Sequence, residues 1–235
     1  MARYAISDIH GCCRTFEKML FETLNLQKTD VLYLLGDYID RGPDSKGVLD
    51  LIMRLQEEGY EVHCLLGNHE AMMLIDQKEE RQNYESNWYH QGGLRTLQSF
   101  GVSHVSEIPA NYIDFMENLH LTIKLDDYWL VHAGFNFRKP NFWEDMYALI
   151  WIRNWHKDIK PELLEGRMII HGHTPMPAAA ILSAAARQPL SVLDIDAGCV
   201  YAEIEGYGYL CAMNLDTREL IFEANIDEQK PYALN

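Results

Sequence analysis

Polar residues of metal-binding types recur at regular intervals in the first third of the chain. Asp8 and His10 stand together, Asp37 follows, and Asn68 and His69 form the third group. Each interval is about 30 residues, the length of one strand–helix–strand unit. Parallel strands built from such units end at one edge of a sheet, where α/β proteins bind their ligands. We therefore expect these side chains to meet at that edge.

Two histidine motifs later in the chain extend this pattern. His132 opens a His-Ala-Gly motif, and His171 and His173 lie in His-Gly-His-Thr. Imidazole, carboxylate and amide oxygen together suit Mn, Fe or Zn better than Ca or Mg, and pairs of metal ions hydrolyse phosphate esters. Any one motif could be a solvated turn or a buried histidine. The five motifs in order favour a metal centre, in which we expect His171 to be a supporting residue.

The elements that must position these groups alternate between strands and helices. Short apolar runs at residues 3–7, 31–35 and 61–66 predict strands. Helical periodicity between them predicts helices at 15–24 and 45–58. Strands that alternate with helices in this way indicate a parallel core sheet.

The second half of the chain predicts a hairpin over residues 121–132, a helix over 147–156 and further strands. These strands are expected at 168–171, 190–196, 208–214 and 219–224. No linker or repeat divides the sequence, so we expect one α/β domain over residues 1–235. Residues 78–118 are predicted to be a helical cap or insertion, which either forms part of the rim of the site or packs without touching substrate.

Composition limits the possible partners. The chain has 235 residues, with 20 Lys and Arg against 35 Asp and Glu, and its formal net charge is −15. This charge argues against nonspecific nucleic-acid binding and against attachment to an anionic membrane. The chain opens without a signal-peptide pattern, and no apolar run approaches the ~20 residues of a membrane helix. We therefore expect a cytoplasmic protein with no nucleic-acid or membrane partner, and its oligomeric state stays open.

The ordered motifs carry a family resemblance. They are Asp8-Ile9-His10-Gly11, Gly36-Asp37-Tyr38-Ile39-Asp40-Arg41-Gly42, Gly67-Asn68-His69-Glu70, His132-Ala133-Gly134 and Gly172-His173-Thr174. The chain resembles the metal-dependent phosphoprotein phosphatases of the calcineurin-like metallophosphoesterase superfamily, and within them the compact bacterial and phage branch. The resemblance implies an α/β sandwich in which helices flank two mixed β-sheets, with a small helical cap.

The resemblance also implies a role for each motif residue. Asp8 and His10 would hold one metal ion, Asp37 would bridge two, and Asn68, His132 and His173 would hold the second. His69 would be the general acid, oriented by Asp40, while Arg41 and Arg153 would grip the phosphate oxygens. The expected cofactors are two divalent ions, Mn in the first place, with Fe and Zn as alternatives.

The leading functional hypothesis is a phosphomonoesterase that acts on phosphoserine and phosphothreonine in proteins or peptides, with phosphotyrosine as a further substrate. A hydroxide that bridges the two metal ions would attack phosphorus directly. The alternative is a symmetric dinucleoside-tetraphosphate hydrolase or another small-molecule phosphoesterase. Hydrolases of the former kind tend to have Asp after Gly-Asn-His, so Glu70 favours the phosphatase. A third hypothesis is a non-catalytic, metal-stabilised interaction module. It is disfavoured because such a protein needs neither an acid such as His69 nor phosphate-binding arginines such as Arg41 and Arg153.

Overall fold

The computed structural model describes residues 1–79 and 86–228. Its first sheet has five strands in the order β3-β2-β1-β8-β9. β1 pairs parallel with β2, and β2 pairs parallel with β3, whereas β8 runs antiparallel to both β1 and β9. The strands are β1 (Arg3–Ile6), β2 (Val31–Leu34), β3 (Glu61–Cys64), β8 (Tyr209–Asn214) and β9 (Leu220–Ala224).

The second sheet has four strands in the order β4-β5-β6-β7. β4 and β5 form the predicted antiparallel hairpin, while β5, β6 and β7 are parallel. These strands are β4 (Thr122–Lys124), β5 (Tyr128–Val131), β6 (Met168–His171) and β7 (Val192–Asp194). Both sheets are therefore mixed, as expected, and the α/β class is confirmed.

Each central strand is apolar on both faces because both faces are covered. In β2, Val31 and Tyr33 belong to the cluster between the two sheets, and Leu32 and Leu34 belong to the cluster under the helices. Alternate residues of a strand point to opposite faces of the sheet, so the apolar residues of β2 are divided between the two clusters. A strand of the first sheet whose sequence does not alternate between apolar and polar residues, such as β2, is thus buried on both faces.

Most helices cover the outer faces of the two sheets, while the last one buries Ile181 in the cluster between the sheets. The helices are α1 (Cys13–Lys18), α2 (Ser45–Glu57), α3 (Asn68–Lys78), α4 (Leu94–Phe100), α5 (Ala110–Glu117), α6 (Met146–Trp151) and α7 (Ala178–Ala185). α4 and α5 lie in the predicted cap over residues 78–118, of which 80–85 fall outside the described residues. The extent of the domain and of the cap stays a prediction. Among the described residues, the helices are too short or too polar to cross a bilayer.

Candidate active site

The predicted site residues lie at the carboxyl ends of strands from both sheets. Asp8 and His10 follow β1, Asp37 and Asp40 follow β2, and His132 and His173 follow β5 and β6; α3 begins at Asn68 directly after β3. All of these side chains are buried. The loops that carry them therefore converge between the sheets, where the parallel strands of both end.

The backbone of these loops is held in an unusual conformation. Positive φ angles between 35° and 73° occur at Asp8, His10, Asp37, Asp40, Arg41 and His173. Such angles cost non-glycine residues about 1–3 kcal/mol each and persist only where the surroundings enforce them. The amides of His10 and Gly11 donate to the carbonyls of Asp37 and Tyr38 at 2.9 and 2.8 Å, which locks two of these loops together. A side chain at Gly42 would collide with the carbonyl oxygen of His10, so the packing requires glycine there.

Asp37 stands at the centre of the site. One oxygen, Oδ2, lies 3.5 Å from Nε2 of His10, and the other, Oδ1, lies 3.4 Å from Nε2 of His132. Among the described residues, two groups of potential ligand atoms have all their atoms within 4.8 Å of one another. One comes from His10, Asp37 and His69, and the other from Asp37, His132 and His173. Asp37 is shared by both groups, which is the position that a bridging carboxylate needs.

Backbone carbonyls fix the orientation of two histidines. Nδ1 of His10 donates to the carbonyl of Ile39 at 2.9 Å, and Nδ1 of His132 donates to that of Leu35 at 2.8 Å. A carbonyl oxygen can only accept, so in the neutral rings the Nε2 lone pairs face Asp37. Such second hydrogen bonds are the usual way in which metal-ligating histidines are oriented.

Asn68 and His173 complete the second group of atoms. Oδ1 of Asn68 lies 3.0 Å from Nε2 of His132 and 2.8 Å from Nδ1 of His173. The other ring nitrogen of His173, Nε2, is buried without a hydrogen-bond partner among the described residues. A buried polar atom without a partner is unusual in folded proteins and points to an ion or a ligand.

Asp8 lies outside both groups of ligand atoms. Its carboxylate accepts the backbone N–H of His173 at 3.1–3.2 Å and the hydroxyl of Ser7. Its charge nevertheless acts on Asp37. The pKa of Asp37 is raised well above its usual value, mainly by burial and next by the negative charge of Asp8.

Asp196 is a buried acid near this centre that the sequence reasoning missed. Burial raises its pKa well above the usual value, and the charges of Asp8 and Asp37 raise it further. Asp196 follows β7, so it occupies the same kind of strand-end position as Asp8 and Asp37. That position was the signal that could have identified it.

The arrangement fits divalent cations. Lone pairs of His132, Asn68 and Asp37 face one another at 3.0–3.4 Å in a buried place where several carboxylates repel one another. Buried charges of one sign are costly unless they are paired or coordinate a metal. The mixed imidazole, carboxylate and amide set suits a transition-metal dication.

His69 and Asp40 form a buried pair beside this centre. Nδ1 of His69 lies 2.6 Å from Oδ2 of Asp40, and both side chains are almost completely excluded from solvent. Burial raises the pKa of Asp40 to about 8, although hydrogen bonds from Thr96 and Trp88 act against this, and burial lowers the pKa of His69 well below its usual value. The pair therefore keeps an acidic proton up to about pH 8. Whichever group holds that proton, Nε2 of His69 bears a hydrogen.

The two predicted phosphate-binding arginines lie in different surroundings. Arg41 is partly buried, and its Nη1 donates to Nε2 of His10 at 2.6 Å. Arg153 is exposed and donates to Oγ1 of Thr174 at 3.1 Å, directly beside His173. It lines a cleft of about 320 Å³ together with Arg138 and Lys157.

His171 lies apart from both groups of ligand atoms. Its Nε2 is 2.8 Å from Nε2 of His156, and its Nδ1 contacts the carbonyl of Gly172 at 3.0 Å. Burial lowers the pKa of His171 to about 3. This position agrees with a supporting residue in the neutral form.

Glu70 has a structural environment that explains its presence. Its Oε1 accepts the N–H groups of Tyr38 and Ile39 at 2.8 and 3.2 Å, and its Oε2 accepts those of Asp37 and Gly67 at 3.0 and 3.1 Å. The side chain is completely buried. Glu70 therefore holds the Asp37 loop in place, and its carboxylate faces the backbone.

Comparison with known proteins places this site in a family. The sequence model of the calcineurin-like phosphoesterase family matches residues 1–197 of this chain. A symmetrical bis(5'-nucleosyl)-tetraphosphatase of Nitrosomonas europaea is 36% identical over 137 residues, which are 57% of this chain and 45% of that protein. One from Wigglesworthia glossinidia brevipalpis is 43% identical over 76 residues, 32% of this chain and 26% of that protein. The chain thus matches a quarter to a half of the length of these relatives.

Solved structures agree on the fold. A crystal structure provisionally named a diadenosine tetraphosphatase has a TM-score of 0.65 at 21% identity and covers 96% of this chain and 94% of its own. A protein serine/threonine phosphatase from Saccharomyces cerevisiae has a TM-score of 0.62 at 14% identity, covering 98% and 81%. Both are similar to this chain in fold, and the fold alone does not distinguish their substrates.

The expected protein phosphatase activity, with a phosphorylated protein or peptide as partner, is wrong, and so is the assignment to the bacterial and phage phosphatase branch. The curated relatives that overturn it are named for dinucleoside tetraphosphates. The physical reason is that the residues used to choose between a protein phosphatase and a tetraphosphatase do not distinguish the two. The metal-binding motifs serve ester and anhydride hydrolysis alike, and Glu70 faces four backbone amides, so it carries no information on the substrate.

The broader expectations agree with the family match. A phosphoesterase of this kind is a hydrolase that uses divalent metal ions, and the clustered ligand atoms around Asp37 suit that requirement. The match covers most of the sequence, from residue 1 to residue 197, and it includes every motif described above. The chain belongs to the calcineurin-like phosphoesterase family.

Proposed function

We propose that this chain hydrolyses symmetric dinucleoside tetraphosphates at the central anhydride and releases two nucleoside diphosphates. The observation that carries the proposal is its similarity to symmetrical bis(5'-nucleosyl)-tetraphosphatases, 36% identical over 137 residues in one case. Two separate clefts, one lined by Arg41 and one by Arg153, offer room for the two halves of an extended substrate.

The predicted metal ligands are retained in this proposal. Asp8, His10 and Asp37 would hold one ion, and Asp37 would share the second with Asn68, His132 and His173. Two divalent ions, which we expect to be Mn, would neutralise phosphate oxygens and lower the pKa of water at the site. The lone pairs that converge around Asp37 and the orphaned Nε2 of His173 support this assignment.

The two arginines would bind the tetraphosphate from opposite sides. Arg41 lies beside His10 and Arg153 beside Thr174, so each guanidinium adjoins a different ligand residue of the centre. The planar fork of arginine donates two parallel hydrogen bonds to phosphate oxygens. These cations, with Arg138 and Lys157 in the second cleft, would attract a polyanion to a chain whose net charge is −15.

His69 would donate a hydrogen bond from Nε2 to the oxygen that leaves the attacked phosphorus. Asp40 would hold the ring through Nδ1 and keep the shared proton. A nucleoside diphosphate is a weakly basic leaving group, so full proton transfer contributes less here than in the cleavage of an alkyl ester. The pair would chiefly orient and stabilise the departing oxygen.

The test is the product pattern with diadenosine tetraphosphate. We expect the protein loaded with Mn to release ADP as the only nucleotide product, and a chelator to stop the reaction. Parallel assays with Fe and Zn would identify the metal that gives the highest turnover. Formation of ATP with AMP would contradict cleavage at the centre, and failure to cleave the tetraphosphate while para-nitrophenyl phosphate is hydrolysed would overturn the proposal.

A further inference from the structure

A cleft of about 340 Å³ opens beside Arg41. Its lining includes Arg41, Tyr201, Glu203 and residues 90–92, which lie in a π-helical turn over Tyr89–Gly93. Ligand pockets in proteins start at about 300 Å³. The cleft therefore has room for one nucleoside, and a whole dinucleotide would extend beyond it.

Arg41 connects this cleft to the predicted metal centre. Its Nη1 lies 2.6 Å from Nε2 of His10, and its guanidinium carbon lies 5.9 Å from the centre of the Tyr201 ring. One guanidinium thus separates the aromatic ring from the group that contains Asp37. A phosphate held by Arg41 would leave the nucleoside attached to it within reach of Tyr201.

The walls of this cleft have the chemistry that a nucleoside requires. Tyr201 is partly exposed and supplies an aromatic ring below the Arg41 guanidinium, while the exposed Gln91 and Glu203 carry amide and carboxylate groups for a base edge and for ribose hydroxyls. The cleft around Arg153 differs, since Arg138 and Lys157 line it as well, with one acid, Asp158, paired to Arg138 at 3.0 Å. Its cations suit phosphates, whereas the Tyr201 cleft suits a base.

The position of Tyr201 is set by its own loop. Its backbone N–H donates to the carbonyl of Gly198 at 2.9 Å, and its carbonyl accepts from the N–H of Ile204 at 3.0 Å. Gly198 has φ 63°, and a Cβ there would lie 3.2 Å from the Tyr201 ring. The turn therefore presents a preformed aromatic surface, which lowers the entropic cost of binding a flat ligand.

We propose that this cleft binds one nucleoside of the substrate, with its base stacked on Tyr201, and that Tyr201 is a specificity-determining residue. The inference rests on the proposed function for the identity of the substrate. Stacking of a base on an aromatic side chain contributes about 1–3 kcal/mol and tolerates any base. The cleft would therefore select nucleotides over simple polyphosphates without selecting among bases.

The test compares the affinities of ADP and methyl diphosphate for the metal-loaded protein by calorimetry. Both ligands carry the same diphosphate, so their ratio isolates the nucleoside. We expect ADP to bind about 5- to 150-fold more tightly, and Tyr201→Leu to remove most of that preference. Tyr201→Phe retains the ring and should keep it. The matched control is Tyr60→Leu, since Tyr60 follows α2 and contacts Lys28.

If Tyr201→Leu lowers the affinities for ADP and methyl diphosphate equally, so that their ratio is unchanged, the nucleoside cleft is overturned. Saturation-transfer NMR on the wild-type protein gives a second measurement that needs no substitution. Transfer from tyrosine ring protons to the H2 and H8 protons of bound ADP is expected, and its absence would also contradict the inference.

Dimethyl tetraphosphate, which has the same central anhydride without nucleosides, separates the two proposals. Cleavage of diadenosine and dimethyl tetraphosphate with equal efficiency would overturn the cleft and leave the proposed function standing. A Tyr201-dependent preference for ADP in a protein that does not cleave diadenosine tetraphosphate would overturn the proposed function and support the cleft.

Discussion

The indole N–H of Trp88 donates to both carboxylate oxygens of Asp40, at 2.8 Å to Oδ2 and 3.0 Å to Oδ1. Asp40 Oδ2 also contacts Nδ1 of His69. A few residues further on, the carbonyl of Gly92 lies 3.5 Å from the backbone nitrogen of Arg41. Residues 86–93 of the predicted cap therefore support the loop that carries Asp40 and Arg41. Contact between this segment and a substrate stays a prediction.

Trp88→Phe should lower turnover about 10-fold while the metal content stays unchanged. Phenylalanine fills most of the indole volume but removes the N–H that fixes Asp40, and outer hydrogen bonds of this kind contribute 10–100-fold to activity. The loss of a hydrogen bond to a charged group should also lower the free energy of unfolding by about 2 kcal/mol. Steady-state kinetics, metal analysis and chemical denaturation measure these effects.

The control for this variant is Trp143→Phe, since Trp143 is 41% exposed. Normal turnover in Trp88→Phe would show that Asp40 needs no support from the cap.

Asp37→Asn should lose metal and activity together. The carboxylate of Asp37 is shared by both groups of potential ligand atoms, so its neutral amide would weaken both sites at once. We expect metal stoichiometry well below that of the wild type and turnover at least about 100-fold lower. Elemental analysis after gel filtration, alongside kinetics at saturating Mn, gives both quantities. Asp114→Asn, at an exposed position of α5, is the matched control, and full metal occupancy with normal turnover in Asp37→Asn would refute the bridging role.

His69 lies in one of the two groups of potential ligand atoms, but its Nδ1 contacts Asp40 and its Nε2, 4.0 Å from Oδ2 of Asp37, bears a hydrogen, so we assign it as an acid and not as a ligand. His69→Asn should therefore retain the metal ions and lower turnover in proportion to the basicity of the leaving group. General acid catalysis contributes about 10²–10⁴-fold where the leaving oxygen needs a proton. We therefore expect a large loss with an alkyl phosphate and smaller losses with para-nitrophenyl phosphate and the tetraphosphate. Equal losses on all three would exclude the role of an acid. His120→Asn, at an exposed position, is the control.

The pH dependence of the alkyl reaction tests the same pair. Burial raises the pKa of Asp40 to about 8, so the shared proton is present below that pH and lost above it. The wild-type rate with an alkyl phosphate should fall as the pH rises through about 8, and His69→Asn should lack this decline.

Glu70→Gln should destabilise the fold and the site together. An amide nitrogen in place of one carboxylate oxygen leaves two buried N–H groups without an acceptor, at about 1–3 kcal/mol each. The free energy of unfolding should fall by roughly 3 kcal/mol, and turnover should fall because Asp37 loses its backbone support. Denaturation and kinetics test this, with Glu57→Gln, at an exposed position of α2, as control. An unchanged substrate preference among phosphoesters is also expected, since Glu70 faces the backbone.

Much of the fold could be predicted from local patterns. Runs such as residues 31–35 are apolar at every position, which indicates a strand buried on both faces, and β2 has its alternate residues in two different cores. Element ends were less predictable. The helix expected at 147–156 ends at Trp151 as α6, and the strand expected at 190–196 is limited to Val192–Asp194. Hydrogen bonding to neighbouring segments sets these ends, and the periodicity of one segment does not contain that information.

The sequence by itself determined which side chains would meet. The spacing of Asp8, Asp37 and Asn68 follows from parallel strands and their crossovers, so the chain brings these groups to one edge whatever the surrounding loops do. Only the tertiary structure decided what supports them. Trp88 and Thr96 reach Asp40 from 48 and 56 residues away, and Asp196 approaches the charges of Asp8 and Asp37 from the other sheet. Such contacts arise from packing between distant segments, which has no periodic signature along the chain.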